Sequence, residues 1–178
     1  MTVITFNEPN EINKLMHEIH ASIGCLITTW SMAEYTLAFH VARLIAFDPS
    51  QPEINVNTFT KAAAVCSGTS FAALINQAVN MTTTNPEISN SIKSYGNDLV
   101  SRLKLKRDDL AHMFVTSKDG NEAILLRLSY GKTKWNVHKT WSVDEINKWS
   151  SEILHSMRQI DILITQFTGQ KLPKELKL

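Results

Sequence analysis

Between Ser101 and Val115 the chain reads S-R-L-K-L-K-R-D-D-L-A-H-M-F-V. Within it, Arg107-Asp108-Asp109-Leu110-Ala111-His112 is where side chains able to do chemistry crowd together in a helical pattern. An arginine is a permanent cation with a planar five-donor fork suited to phosphate. A histidine can both take and give a proton near neutral pH. Together they are the minimum kit for cutting a phosphodiester without a metal. Asp108 and His112 stand four apart, so on a helix they share a face and the carboxylate can orient the imidazole. Arg107 and His112 stand five apart, about 140° round the axis, and one straight helix would not aim both at one atom. Three arrangements answer this: the helix ends near His112, the arginine uses its length, or a second copy of the chain completes the site.

The chemistry that fits is attack by the 2′-hydroxyl that RNA carries beside its own scissile phosphate. His112 would deprotonate that hydroxyl or protonate the leaving 5′-oxygen, and Arg107 would neutralise the charge building on the phosphoryl oxygens. Asp108 would hold the imidazole in one tautomer, as acids do beside catalytic histidines. One histidine cannot easily serve both sides of an in-line displacement, whereas two copies, one per subunit, can. The basic residues Arg102, Lys104 and Lys106, with Lys118, Arg127, Lys132, Lys134 and Lys139 further on, could track a phosphate backbone. Leu103, Leu105 and Leu110 interleave with them, so part of this run is also an amphipathic helix with a solvated basic face. Trp135 and Tyr130 are candidates to stack a base, or packing residues of a half-buried hairpin.

The elements that must position these residues follow from the hydrophobic pattern. Asn7-Glu8-Pro9 is a helix start. From there Ile12, Met16, Ile19, Ile23, Leu26, Trp30, Ala33, Leu37 and Leu44 recur in steps of three and four, with one weak turn near His40. This predicts one very long helix, or two in line with a bend at Gly24, ending before Asp48-Pro49. Its stripe needs a bundle or a second subunit to cover it. Thr58 to Cys66 and Ser70 to Met81 read as two short helices split by Ser67-Gly68-Thr69, a helix break with no phosphate-loop lysine. After the loop at Thr82–Glu87, Ile88, Ile92, Tyr95, Leu99, Leu103 and Leu110 mark the helix that carries the basic segment. Met113–Val115 and Ala123–Leu128 read as a β-hairpin about Asp119-Gly120, with Lys134–His138 as a third strand. Ser142-x-x-Glu145 is a capping box, with Trp141 and Ile146 as its staple. The last helix carries Ile146, Trp149, Ile153, Met157, Ile160 and Ile164. The fold expected is therefore mostly α: an up-and-down helical bundle with a small antiparallel β insert, about 113–138, before the last helix. It spans 1–178 as a single domain with a charged tail at 170–178.

At 178 residues the chain can bury a substantial core. Its formal net charge is +1, so any attraction for nucleic acid must come from a local patch. Apolar residues make up 43 % and charged residues 20 %, ordinary for a globular protein. Cys25 and Cys66 lie in apolar helical stretches without CxxC spacing and read as free buried thiols in a reducing compartment. No secretory signal and no membrane span is expected, which puts the protein in the cytoplasm. Trp30, Trp141 and Trp149 are assigned to the core. Glu34, on or beside the apolar stripe, needs a partner if buried, and Arg107 is the attractive one; a rim position in water is the alternative. His17 and His20 are not the HExxH pattern and lack further ligands, so neither a metal nor another cofactor is expected.

The arginine, four residues, then histidine of Arg107–His112 resembles the signature of the HEPN superfamily, which lies late in a helical bundle. The long first helix with Trp30-x-x-x-Glu34, the shorter middle helices, the strand-like insert and the Ser142-x-x-Glu145 helix start fit that plan over roughly Glu11 to Phe167. The resemblance implies a metal-independent endoribonuclease, a toxin or defence effector, with two motifs meeting at a homodimer interface. RNA would be its substrate and an antitoxin or other protein a possible partner. Catalysis would fall to Arg107, His112 and Asp108, substrate binding to Arg102, Lys104 and Lys106, and structural support to Glu34. Asp108 stands where the family often has Asn, adding negative charge beside the phosphate site. One toxin branch is silenced by nucleotide transfer onto a tyrosine two places after the histidine; here that place holds Phe114. The rival reading is a non-catalytic HEPN-like RNA- or nucleotide-binding protein or dimeric scaffold.

Overall fold

A computed structural model describes residues 9–116, 122–128 and 135–169. The helices are α1 (Pro9–Ile45), α2 (Val56–Cys66), α3 (Phe71–Met81), α4 (Pro86–Asp98), α5 (Lys104–His112) and α6 (Val143–Thr168). A π-helical turn, Leu99–Leu103, joins α4 to α5. Three strands, β1 (Phe114–Thr116), β2 (Glu122–Leu128) and β3 (Trp135–Ser142), form an antiparallel sheet in the order β1-β2-β3. The protein is mostly α with a small antiparallel sheet before its last helix, as the pattern predicts. Asn7-Glu8, the Asp119-Gly120 turn, Tyr130, Lys118, Lys132, Lys134 and the 170–178 tail lie outside the described residues. Among the described residues no helix is long and apolar enough to cross a membrane.

The sequence reads as one domain over 1–178; the structure gathers the chain into two compact units, 1–30 with 103–152 and 31–102 with 153–178. In the first, Ile19, Ile23, Leu26 and Trp30 of α1 are buried, with Leu103, Leu110, Ala123, Leu125, Trp141, Ile146 and Trp149. Ala123 and Leu125 alternate with outward neighbours, the period-two pattern of a sheet with one covered face. Leu125 pairs with Lys139 and Leu126 with Val137, so His138 is the extra residue of a β-bulge. The capping box is present: the Ser142 N–H donates to Glu145 Oε2 at 2.8 Å, and the Glu145 N–H donates to Ser142 Oγ at 3.1 Å. Cys25 departs from expectation. It is exposed, on the face of α1 turned away from Leu26, and α1 runs on through Gly24 as α-helix.

In the second unit, polar caps open each short helix. Asn55 Oδ1 accepts from the Thr58 N–H, which starts α2 two residues before the expected Thr58. Ser70 Oγ accepts from Ala73 at α3, and Asn85 Oδ1 from Ile88 at α4, where Pro86 takes the first turn. Leu37, Val41, Leu74, Ile92, Leu99, Ile153, Ile160 and Ile164 are its most buried aliphatic side chains. Gly96 permits the close approach of α4 to α3: a Cβ there would stand 2.4 Å from Ile75 Cγ2.

Helix propensity alone would favour Gly96→Ala by about 1 kcal/mol, but overpacking typically costs ~1–3 kcal/mol. Gly96→Ala should therefore lower the urea midpoint. Combined with Ile75→Ala, which opens the space, its cost should be smaller than in the wild type; simple additivity would show that the two residues do not meet.

Candidate functional site

The Arg107–His112 segment forms α5, a nine-residue helix in which Leu110 is the one buried side chain. The helix ends at His112, the first of the three arrangements the spacing allowed, and the Met113 N–H closes it on the Asp109 carbonyl at 3.0 Å. His112 is exposed, and among the described residues it makes no hydrogen bond or ion pair.

Asp108 does something other than expected. Its Oδ1 accepts from Arg107 Nη1 at 2.8 Å and its Oδ2 accepts from Lys104 Nζ. Both oxygens are thus taken by cations and neither orients His112. The reason is local: Lys104 is one helical turn before Asp108 and brings a full charge, whereas an imidazole brings one only when protonated. Burial works to raise the Asp108 pKa, but the bonds from Lys104 and then Arg107 outweigh it and hold the carboxyl below its usual range. The Arg107 side chain is 22 % exposed, and its Nε is buried without a partner among the described residues. An uncompensated buried donor of this kind is uncommon in native proteins.

The neighbouring cations are engaged as well. Lys106 Nζ lies 5.0 Å from the Trp141 ring centroid and 4.7 Å from that of Trp149, and the two indoles meet edge to face at 4.9 Å. Lys139 donates to Asp109 and also lies 5.4 Å from Trp141. Arg102 is bidentate to Asp98, with both bonds at 2.8 Å. Glu34, the expected partner of Arg107, belongs to the other unit, on the wall of a cavity. Trp30, Trp141 and Trp149 are core residues as expected. The side chains of Trp135 and Arg127 lie outside the described residues.

Sequence reasoning missed a polar cluster in the second unit. His40, 5 % exposed, has its Nε2 3.2 Å from Asp161 Oδ1, and Arg43 Nη1 donates to Thr165 Oγ1 at 2.9 Å. Its sequence signal was the weak turn at His40 with Arg43 three residues on, on the face that elsewhere carries apolar residues. Burial pushes the His40 pKa down to about 4; Asp161 opposes this and Arg43 adds to it. The imidazole is therefore neutral at pH 7. Among the described residues no group of three or more His, Cys, Asp or Glu side chains comes together in a way that could hold a metal ion.

Compared with protein-family models, with curated proteins and with solved structures, the chain matches none.

From its ordinary value of 6.5 down to about 4, the unfolded chain binds a proton at His40 that the folded chain refuses. Stability should thus be full above pH 6.5 and fall by roughly 3 kcal/mol as pH drops through that window. Urea unfolding at pH 7.5 and 5.0 captures about 2 kcal/mol of this loss, before the carboxylates begin to protonate. In His40→Asn the difference between the two pH values should shrink; an unchanged difference would assign the pH dependence elsewhere.

Proposed function

We propose that this chain is a metal-independent endoribonuclease of HEPN type, a toxin or defence effector of the cytoplasm that cleaves RNA at a composite site of a homodimer. The observation that supports this reading is the Arg107–His112 pair on one short helix. The helix stops at an exposed histidine that makes no hydrogen bond among the described residues, and among them the arginine's buried Nε has no partner. In the reaction the 2′-oxygen attacks phosphorus and the 5′-oxygen leaves. One protomer's His112 takes the 2′-hydroxyl proton and the other protomer's His112 supplies a proton to the leaving oxygen. Arg107 stabilises the charge on the phosphoryl oxygens. The products carry a 2′,3′-cyclic phosphate and a 5′-hydroxyl. RNA supplies the nucleophile itself, so the scheme has no step that calls for a metal. Arg102, Lys104 and Lys106 each have a partner within the chain, and phosphate contact by any of them would exchange Asp98, Asp108 or the two indoles for the RNA backbone. An antitoxin or another protein partner would act by covering His112.

Asp108 favours a second reading, a non-catalytic HEPN-like RNA- or nucleotide-binding protein or dimeric scaffold. A carboxylate that neutralises Lys104 and Arg107 from within holds the helix together and repels phosphate. The two readings part on a pair of variants. If the protein is a nuclease, His112→Ala should lower cleavage by ~10²-fold or more while thermal unfolding scarcely moves, because His112 is exposed and makes no hydrogen bond among the described residues. Asp108→Asn should raise cleavage, by releasing Arg107 and removing the negative charge. Should the wild type and Asp108→Asn both leave RNA intact, the scaffold reading stands.

A further inference from the structure

The second unit contains a cavity of about 620 Å³ lined by α1, α2, the Ser67–Ser70 turn and α3. That volume suits a small organic molecule. Its wall mixes two kinds of surface. Ala38 and Phe39 of α1, Phe59 and Ala63 of α2, and Phe71 and Leu74 of α3 are apolar. Phe59 and Phe71 are buried, and Phe39 meets Phe59 with ring centroids 5.0 Å apart, so the core holds these side chains in place. Glu34, Ser67, Thr69 and Ser70 bring polar groups.

Neither sign of charge finds a ready counter-charge. Among the described residues that line the cavity there is no lysine, arginine or histidine, so an anion would leave water for nothing in return. Glu34 is the one carboxylate, and it already has an interaction partner, which a cation would have to displace. The Cys66 thiol also lines the cavity; burial raises its pKa and keeps it neutral. The wall therefore favours an uncharged ligand.

The hydrogen-bonding groups of the turn narrow the class. Its Gly68 N–H donates to the Val65 carbonyl at 3.4 Å and its Thr69 N–H to that of Cys66 at 3.0 Å, so both are engaged. The hydroxyls are engaged by half. Ser67 Oγ donates to the Ala64 carbonyl at 2.9 Å and Thr69 Oγ1 to the Val65 carbonyl at 3.1 Å, which leaves their lone pairs as acceptors. Ser70 Oγ accepts from the Ala73 N–H at 3.4 Å and keeps its own hydrogen to donate. A wholly apolar ligand would strip these groups of water and leave them unpaired, which is costly. A ligand edge that both donates and accepts, as an amide does, replaces that water.

We propose that this cavity is a binding site for a small uncharged cyclic amide with an apolar body, its amide edge at the Ser67–Ser70 turn and its body against the apolar side chains of α1, α2 and α3. The site is separate from the Arg107–His112 segment, and the proposal does not depend on what that segment does.

Four bicyclic probes of similar size test it on the full chain: 2-quinolone, N-methyl-2-quinolone, N-methylquinolinium and naphthalene-2-sulfonate. Binding is followed by NMR through the methyl signals of Ala38 and Ala63, both in the cavity wall. 2-Quinolone should bind several-fold more tightly than its N-methyl derivative, which has lost the donor that the Ser67 and Thr69 oxygens accept from. It should bind at least ~10-fold more tightly than either ion. Ser67→Ala combined with Thr69→Val should close the gap between the two quinolones by weakening 2-quinolone alone. If that double variant disturbs folding, Ala63→Trp, at a half-buried position, serves instead; it fills the cavity and should abolish 2-quinolone binding. Equal binding of the two quinolones to the wild type, a gap that survives the double variant, 2-quinolone binding that survives Ala63→Trp, preference for either ion, or no methyl shift at millimolar probe would each overturn the proposal.

Discussion

The ammonium of Lys106, within about 5 Å of two indole rings at once, is the contact on which the geometry of the Arg107–His112 segment depends. α5 has nine residues, mostly charged, and buries one of them, Leu110. A helix so short and polar is marginal on its own. It continues from α4 through the π turn, where Leu99 and Leu103 are fully buried, but beyond that turn it needs further fastening. A cation–π contact is worth from ~0.5 kcal/mol when exposed to ~2 kcal/mol when desolvated. Both indoles are only 6 % exposed, so the upper part of that range applies. The exposed Asp109–Lys139 bridge adds less, ~0–1 kcal/mol. Lys106 therefore sets the rotation of α5 more than the bridge does, and with it the direction in which Arg107, the next residue, leaves the helix. A residue that composition would assign to phosphate binding is a fastener of the helix that carries the arginine.

Electrostatics within α5 then decide how the segment behaves. Asp108 draws Lys104 and Arg107 onto its two oxygens. The segment is thus far less of a cationic patch than its sequence suggests, in keeping with a chain of net charge +1. The same carboxylate orders Arg107 and competes for it. His112, beyond the reach of this exchange at the helix end, has neither ring nitrogen hydrogen-bonded among the described residues.

Much of this was legible in the sequence because it rests on periodicity and caps. All six apolar positions expected on α6, from Ile146 to Ile164, are buried, and the Ser142–Glu145 box closes as its residue types require. The α1 stripe from Ile19 to Leu44 is likewise the core face. What escaped was set by pairings between distant residues and by competition between near ones. Nothing in the spacing of Lys106 announces Trp141 and Trp149. The i, i+4 rule allowed Asp108 two partners, Lys104 before it and His112 after it, and could not say that a permanent cation would win. The polar cluster at His40 was half visible, as a weak turn in a stripe, but its partner Asp161 lies on a helix more than a hundred residues away. The π turn leaves no mark in the pattern, because Leu99, Leu103 and Leu110 fit α-helical spacing as well. Cys25 is exposed because a helix stripe has edges, and the step of about 100° from Leu26 to its neighbour Cys25 crosses one.

In the proposed function Arg107 and His112 cleave RNA through its own 2′-hydroxyl. Its most direct test is the chemistry of the cut ends, read by mass spectrometry on a defined oligoribonucleotide incubated with the protein in excess EDTA. The expected fragments end in a 2′,3′-cyclic phosphate and begin with a 5′-hydroxyl, and they form at the same rate with and without the chelator. Fragments with a 3′-hydroxyl and a 5′-phosphate, or cleavage that stops in EDTA and returns with magnesium, would contradict it.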